Sequence, residues 1–172
     1  AQVLNLTPLE RQKMYEVLDI NALPENATYL YDPFFDNCAT KLRDITKKIL
    51  GDKVQFPTSY SDENYTLRQL MNKNIYWNTW GSFGINLALG SKLDQKIAAE
   101  QYMYLPDYVY VAFENATKKE NNLVVPLVIK STNILNHNEK EWQFHLFSPL
   151  IIFSVLFFIT FTTTYKDQKR NK

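Results

Sequence analysis

The chain has 172 residues, 45% of them apolar and 15% aromatic, which is enough apolar material for a folded domain with a hydrophobic core. Its formal net charge is +1, and four basic residues against one acidic residue in the last seven positions leave about −2 on the rest. This balance excludes an electrostatic nucleic-acid binder, and one cysteine with two histidines excludes an internal disulfide or a zinc cluster. We therefore expect neither a metal nor another cofactor.

The first predicted helix begins after a capping box. Thr7, Pro8 and Glu10 supply the N-cap residue, the proline of the first turn and the glutamate that completes the box. We expect this helix to end within residues 21–25, and residues 28–31 are predicted as a short strand. The apolar face of the helix is expected to consist of Leu9, Met14, Val17 and Leu18.

The only cysteine of the chain begins the second predicted helix. Asp36 or Asn37 is a suitable N-cap residue, apolar residues follow at helical spacing, and Gly51 ends the pattern. Cys38 then lies in the first turn, where unpaired backbone N–H groups and the helix dipole favour a thiolate. A lone cysteine is also often a small buried apolar side chain. From the residues alone, a nucleophile and a structural cysteine both stay open.

An aromatic and glycine-rich segment follows a third predicted helix. The helix covers residues 65–75, and Arg68 lies near its start, where a positive charge opposes the dipole. Arg68 is therefore a candidate binding residue, with a solvated surface arginine as the alternative. Residues 77–90 contain two tryptophans and three glycines, which indicates either ordinary core or a groove for acyl chains.

The pattern beyond residue 90 predicts two more helices and a strand. The helices cover residues 94–104 and 107–117, and Pro106 separates them. Residues 124–134 are rich in Val and Ile and are predicted as a strand that Pro126 interrupts. A polar linker over residues 136–141 follows.

The C-terminal segment has the composition of a membrane span. Residues 142–165 contain no Asp, Glu, Lys or Arg, and Trp142, Phe144 and Tyr165 suit the two membrane interfaces. A helix from Pro149 to Tyr165 covers only ~25 Å of a ~30 Å hydrocarbon core, so flanking residues must complete the crossing. The alternative, a buried core helix, would have to hide phenylalanines on all sides. The basic tail, residues 166–172, predicts a cytoplasmic C-terminus.

Several short motifs occur in a fixed order from residue 2 to residue 110. They are VLNLT at 3–7, LPEN at 23–26, YLY at 29–31, DNCAT at 36–40, LRD at 42–44, TLR at 66–68, the segment 80–90, and YLPDY at 104–108. This series resembles the Lnb family of bacterial lipoprotein N-acyltransferases, and the DNCAT motif carries the strongest part of the resemblance.

The resemblance implies an α+β fold, namely the C-terminal, helix-rich part of a permuted papain-like cysteine domain, followed by one transmembrane helix. It implies that Cys38 is the nucleophile, carries an acyl group from a membrane phospholipid as a thioester, and passes it to the α-amino group of a diacylated lipoprotein. Asn37 is a candidate for an oxyanion or orienting role. Within the other motifs, Arg43, Arg68 and Trp80 are candidate binding residues.

The implied organisation has four parts and lacks the histidine that would act as the general base for Cys38. Residues 1–135 are expected to form a periplasmic acyltransferase domain, followed by the linker, the inner-membrane helix over 142–165 and the cytoplasmic tail. The family's histidine is expected upstream of residue 1, so the chain is expected to be a processed product or a fragment, and inactive alone. We expect an upstream segment or a partner chain to supply that histidine, because His137 and His145 match no such motif.

Two other functions are consistent with the sequence. A membrane-tethered papain-like peptidase or amidase would use the same cysteine and histidine but transfer the acyl group to water. A non-enzymatic, membrane-anchored binding domain would keep Cys38 buried and unreactive. The exposure of the Cys38 thiol in the folded chain therefore discriminates between an enzyme and a binding domain.

Overall fold

In the computed structural model, the described residues are 1–60, 64–134 and 145–170. The chain divides into two compact units, one formed by Ala1–Asn64 and Lys96–His137 and the other by Tyr65–Gln95 and Asn138–Lys172. Helices and small sheets occur together, which confirms the predicted α+β class. Four sequence-based assignments lie outside the described residues, namely the linker 136–141, His137, Trp142 and Phe144.

The helices and strands are short except for the last helix. The α-helices are α1 (Pro8–Ala22), α2 (Cys38–Leu50), α3 (Leu67–Lys73), α4 (Trp80–Ala88), α5 (Pro106–Glu114) and α6 (Pro149–Arg170). The strands are β1 (Gln2–Leu4), β2 (Val54–Gln55), β3 (Thr117–Glu120), β4 (Leu123–Pro126) and β5 (Val128–Ser131). Three 3₁₀ helices cover Gly51–Lys53, Gly90–Asp94 and Ala99–Tyr104.

The core of the first unit lies between α2, α5 and the strands. β2, β3 and β4 form one antiparallel sheet, and β1 pairs with β5 in another. The β3–β4 hairpin turns at Asn121 and Asn122, which both have positive φ, a conformation that asparagine tolerates better than most residues. The buried apolar cluster consists of Ala39, Leu50, Val54, Met103, Val109, Ala112, Phe113, Ala116, Leu127 and Val128.

A buried ion cluster joins α1 to β3 in the first unit. The Lys118 side chain is fully buried, and its Nζ lies 2.9 Å from Glu10 Oε2 and 3.0 Å from Glu120 Oε2. Burial alone would raise the pKa of Glu10, but hydrogen bonds from Lys118 and Thr7 lower it below its ordinary value. Burial alone would lower the pKa of Lys118, but its two carboxylate partners raise it. The cluster is therefore charged in the folded protein.

The second unit combines a small apolar core with the long helix α6. Leu67, Leu70 and Met71 on α3 are buried, as is Leu93. Among the described residues, α6 is the one helix that is long and apolar enough to cross a membrane. Only 6% of its apolar window is buried, so the alternative of a buried core helix is wrong. The helix begins at Pro149 and continues to Arg170, through most of the predicted tail.

Three predicted elements differ from the structure. Residues 28–31 are not a strand, because they have no partner strand and the Leu30 side chain is 92% exposed. The helix predicted over 94–104 is replaced by a 3₁₀ helix over Ala99–Tyr104. Tyr102, Met103 and Tyr104 are all buried, and three consecutive residues cannot share one α-helical face. On α1, Leu9 and Leu18 are exposed, whereas Glu10 is buried.

Candidate functional site

Cys38 is the first residue of α2, and its side chain is exposed. The prediction of a helix that begins at Cys38 and stops at Gly51 is confirmed, with Asn37 as the N-cap residue and φ of 57° at Gly51. The exposure contradicts the alternative of a buried structural cysteine. The structure therefore presents a free thiol at the positive end of a 13-residue helix.

The Asn37 side chain fixes the backbone around the thiol. Its Oδ1 accepts hydrogen bonds from the N–H groups of Ala39, at 2.8 Å, and Thr40, at 2.9 Å. Its Nδ2 donates to the carbonyl oxygens of Pro33, at 2.9 Å, and Tyr104, at 3.0 Å. Both amide hydrogens have acceptors in this geometry, so the contacts support the orienting role, and the oxyanion role of Asn37 stays a prediction.

The loop that precedes Cys38 is held by its own turn and by a tyrosine of the first unit. Asp32 Oδ1 accepts from the N–H groups of Phe34 and Phe35, which closes the turn. The Phe34 ring packs on the Tyr104 ring with 5.3 Å between centroids. Burial raises the pKa of Tyr104 to about 12, and Tyr108 adds to this shift. Tyr104 thus holds this loop through its ring and the Asn37 amide through its carbonyl.

Tyr104 was missed as a site residue in the sequence analysis, although the YLPDY motif that contains it was part of the resemblance. Its contact with Asn37 joins residues 67 positions apart, and no local pattern predicts such a contact.

The backbone beside the thiol offers a hydrogen-bond donor. The N–H groups of Ala39 and Thr40 donate to Asn37 Oδ1. Within the described part of the chain, no hydrogen bond from the Cys38 N–H is found. A donor next to the attacking sulfur is the arrangement that stabilises the oxyanion of a tetrahedral intermediate. The site therefore combines an exposed thiol with one backbone donor.

Arg43 lies on α2 within a cluster of ion pairs whose acidic partners are exposed, whereas the Arg43 side chain itself is 13% exposed. Its Nε is 2.7 Å from Asp44 Oδ1 and 3.7 Å from Glu100 Oε1, and Lys47 also contacts Glu100 at 2.6 Å. Exposed pairs of this kind contribute little to stability, about 0–1 kcal/mol each. The contacts with Glu100 connect α2 to the 3₁₀ helix Ala99–Tyr104, and the predicted binding role of Arg43 stays a prediction.

Arg68 and Trp80 belong to the second unit. The Arg68 guanidinium contacts Asp94 Oδ1 at 2.6 Å, Asn86 Oδ1 at 2.7 Å and the carbonyl oxygen of Gly90. These contacts connect α3 with the end of α4 and the 3₁₀ helix that follows. Trp80 donates its indole N–H to the carbonyl oxygen of Phe147 at 2.7 Å. The contacts indicate structural roles for both residues, and their predicted binding roles stay predictions.

Neither histidine provides a demonstrated base for Cys38. Residues 1–134 contain no histidine, so the described part of the first unit supplies none. His145 is exposed in the second unit, just before α6. The described residues also hold no cluster of three His, Cys, Asp or Glu side chains that could bind a metal ion.

Comparison with known families supports the resemblance over part of the chain. Residues 1–73 match the family model described as the Lnb N-terminal periplasmic domain. This confirms the resemblance for the segment that contains Cys38, Asn37, Arg43 and Arg68. Trp80 and the later motifs lie beyond the matched segment.

Comparison with curated proteins and with solved structures gives no significant match. The permuted papain-like fold therefore stays a prediction. The findings are a match to the Lnb N-terminal periplasmic domain over residues 1–73 and one candidate membrane span near the C-terminus.

Proposed function

We propose that the protein takes part in lipoprotein N-acylation, with Cys38 as the acyl-carrying nucleophile. The acyl chain comes from a membrane phospholipid, and the acceptor is the free α-amino group of a diacylated lipoprotein. The observation that carries the proposal is an exposed thiol at the first residue of α2, within the segment that matches the Lnb periplasmic domain.

The first step forms the thioester. The Cys38 thiolate attacks the ester carbonyl carbon of the phospholipid, and the carbonyl oxygen becomes an oxyanion next to the Cys38 N–H. When the tetrahedral intermediate collapses, the ester C–O bond breaks. The lysophospholipid alkoxide leaves and takes the proton that the base had removed from the thiol. The acyl group is then bonded to Cys38 Sγ.

The second step releases the thiol. The neutral α-amino group attacks the thioester carbonyl carbon, a C–N bond forms, and the C–S bond breaks. The base takes the proton from the nitrogen and returns it to the departing thiolate. The products are an amide-linked third acyl chain and regenerated Cys38. The reaction needs no oxidant, reductant or metal ion to balance.

The proposal requires a base that approaches the exposed side of Cys38. A histidine is suitable, because its ordinary pKa of about 6.5 lets it accept and return a proton near neutral pH. We propose that an upstream segment or a partner chain contributes this histidine, since residues 1–134 contain none. The Asn37 and Tyr104 contacts keep the thiol in a fixed position for that approach.

The membrane setting supports the same reaction. Donor and acceptor are both held in a bilayer, so an anchor beside the catalytic domain raises their effective concentration at the thiol. We propose that residues 1–141 lie in the periplasm and that the C-terminal tail lies in the cytoplasm of a bacterial inner membrane. Lys169 and Arg170 at the end of α6 agree with the excess of basic residues on the cytoplasmic side.

A product assay tests the proposal. Protein purified from its native membranes, together with any chain that contributes the base, is mixed with phospholipid vesicles and a diacylated lipopeptide. We expect N-acylated lipopeptide and lysophospholipid in equal amounts by mass spectrometry, and neither product with Cys38→Ala. Lys119→Ala, a substitution of an exposed residue, is the matched control and should retain activity.

The same assay distinguishes the proposal from its alternatives. Free fatty acid in place of N-acyl peptide would identify a hydrolase, as a papain-like amidase predicts. Equal product formation by the wild type and Cys38→Ala would contradict a cysteine nucleophile. Loss of both products in Cys38→Ala, with formation of N-acyl peptide by the wild type, supports the acyltransferase.

A further inference from the structure

We infer that α4 is an interfacial membrane helix that lies in the bilayer surface beside the start of α6. Its partner is the lipid at the boundary between headgroups and acyl chains. The inference rests on the polarity of α4 and its attachment to the candidate span, and it does not depend on the proposed acyltransferase activity.

The inward face of α4 is polar. Ser82 is the buried residue of the helix, and Asn86 lies one turn later on the same side. The Asn86 Nδ2 donates to the Ser82 carbonyl oxygen at 2.9 Å and to Asn72 Oδ1 at 3.0 Å, while its Oδ1 accepts from Arg68. A helix on a water-soluble domain normally buries its apolar face. In α4 the polar face is buried and the apolar face is exposed.

The outward face of α4 and the turn before it is apolar. Trp77 is 63% exposed, and Trp80, Phe83 and Leu87 are 49%, 42% and 72% exposed. The helix contains no charged residue. Contiguous exposed apolar surface of this kind marks a site of contact with a membrane or a protein. Two tryptophans on it favour the membrane interface, where tryptophan is enriched.

Contacts with α6 place the apolar face of α4 next to the candidate membrane span, which favours lipid as its partner. The Asn78 side chain accepts from the Leu150 N–H at 2.9 Å and donates to Ser148 Oγ at 3.1 Å, so it caps the N-terminus of α6. The ring of Phe153 lies 5.9 Å from the Trp80 ring and 5.3 Å from the Phe83 ring. The apolar face of α4 is therefore continuous with the first turns of α6.

The short apolar length of α6 explains what an interfacial helix beside it would contribute. The uncharged part of the helix, residues 149–165, covers ~25 Å, whereas the hydrocarbon core is ~30 Å thick. An interfacial helix typically inserts its apolar face ~5–10 Å into the boundary region. The aromatic side chains of α4 thus add apolar surface at the N-terminal end of α6, where the apolar part of the span falls short of the hydrocarbon core.

A groove between α4 and α6 offers room for lipid tails. It has a volume of about 410 Å³, and its walls include Phe83, Leu87, Leu150 and Phe153. Asn78, Thr79, Ser82 and Asn86 also line the groove, but most of its exposed wall is apolar, and acyl chains would cover that apolar wall more favourably than water. The groove is therefore part of the same lipid-facing surface.

Spin labels at single positions test the inference on the full chain in phospholipid vesicles. Cys38 is first replaced by alanine, and a nitroxide is then attached to Phe83→Cys or Leu87→Cys. The collision rates with oxygen, which concentrates in lipid, and with a nickel chelate, which stays in water, are measured for each label. Val155→Cys, within α6, is the lipid reference, and Lys92→Cys, an exposed charged position just after α4, is the water reference.

We expect the oxygen-to-nickel ratio at Phe83 and Leu87 to be several-fold above that at Lys92 and close to that at Val155. A ratio at Leu87 equal to that at Lys92, with a lipid-like Val155, would overturn the inference. A water-like Val155 would show that α6 does not span the bilayer and would overturn it as well.

Discussion

The helices α2 and α4 have opposite polarity, although both begin at a side-chain cap. α2 buries Ala39, Thr40 and Leu50 and presents the Cys38 thiol at its exposed end. α4 buries Ser82 and exposes its large apolar side chains. The exposed thiol of α2 is the basis of the proposed acyl transfer, whereas the exposed apolar face of α4 is the basis of the inferred contact with lipid.

The two units also differ in how far a structural cation is shielded from water. In the first unit Lys118 is fully enclosed between two carboxylates. In the second unit the Arg68 side chain is 22% exposed and connects the ends of three helices. Loss of either cation is therefore expected to destabilise its own unit, and more severely in the first.

Substitution of Lys118 by alanine is expected to have the largest effect on stability. Glu10 and Glu120 would lose their partner, and breaking a buried ion pair typically costs about 3–5 kcal/mol. Urea unfolding of the detergent-solubilised protein measures the change in free energy of unfolding. Lys119→Ala removes an exposed lysine from the same strand and should change it by less than about 0.5 kcal/mol. Equal effects of the two substitutions would refute the importance of the buried cluster.

Substitution of Arg68 is expected to loosen the second unit by about 1–2 kcal/mol, since its hydrogen bonds are partly exposed to water. Arg68→Lys keeps the charge but not the guanidinium fork, so we expect it to recover only part of the loss. The rate of amide hydrogen exchange in α4 measures this loss of stability locally. Lys92→Ala is the control for an exposed cation in the same unit. Unchanged exchange in α4 would favour the binding role that the sequence predicted for Arg68.

Asn37 variants separate two roles of this side chain. Its Oδ1 caps α2, and its Nδ2 donates hydrogen bonds to the carbonyl oxygens of Pro33 and Tyr104. Asn37→Ala removes both and is expected to cost about 0.5–2 kcal/mol. Asn37→Asp keeps the Oδ1 acceptor but cannot donate to Pro33 or Tyr104. We expect the aspartate variant to retain the helix while its rate of N-acylation falls. Full activity of Asn37→Asp would show that the contact with Tyr104 is not needed for positioning.

The smallest expected effect is the pH dependence due to Glu10. Its pKa is lower in the folded protein than the ordinary value of 4.5, so the unfolded chain binds the proton more readily. This stabilisation is present above about pH 4.5 and is lost as the pH falls through the folded pKa. The stability difference between the wild type and Glu10→Gln should therefore shrink as the pH falls below about 4.5. A stability difference between the two proteins that grows as the pH falls would contradict the predicted direction of the pH dependence.

Local signals predicted several helix ends and the position of Cys38 at the start of α2. Thr7 and Gly51 determine backbone conformation within a few residues, so their roles as helix caps follow from sequence alone. For the N-cap of α2 the sequence left Asp36 and Asn37 open, and the structure has Asn37. The exposure of Cys38 was left open, because it depends on how α2 packs. The resemblance, and not the spacing of residues, selected the reactive alternative.

Nonlocal contacts explain what the sequence did not predict. β3 has the sequence TKKE, with no apolar alternation, because its inward residue is Lys118 and the partner of that residue is Glu10, 108 positions away. The tyrosines at 29 and 31 have strand-forming side chains but no neighbouring strand. For residues 77–90 the pattern indicated either ordinary core or a groove for acyl chains, and it could not show that several of the large apolar side chains are exposed.

The acylation state of Cys38 tests the central claim most directly. Protein purified from its native membranes is incubated with phospholipid without an acceptor, and its intact mass is measured before and after treatment with neutral hydroxylamine, which cleaves thioesters. We predict an increase equal to one acyl group that hydroxylamine removes and that Cys38→Ala abolishes. No acyl adduct on the wild type, or an adduct that persists in Cys38→Ala, would contradict the role of Cys38 as the acyl carrier.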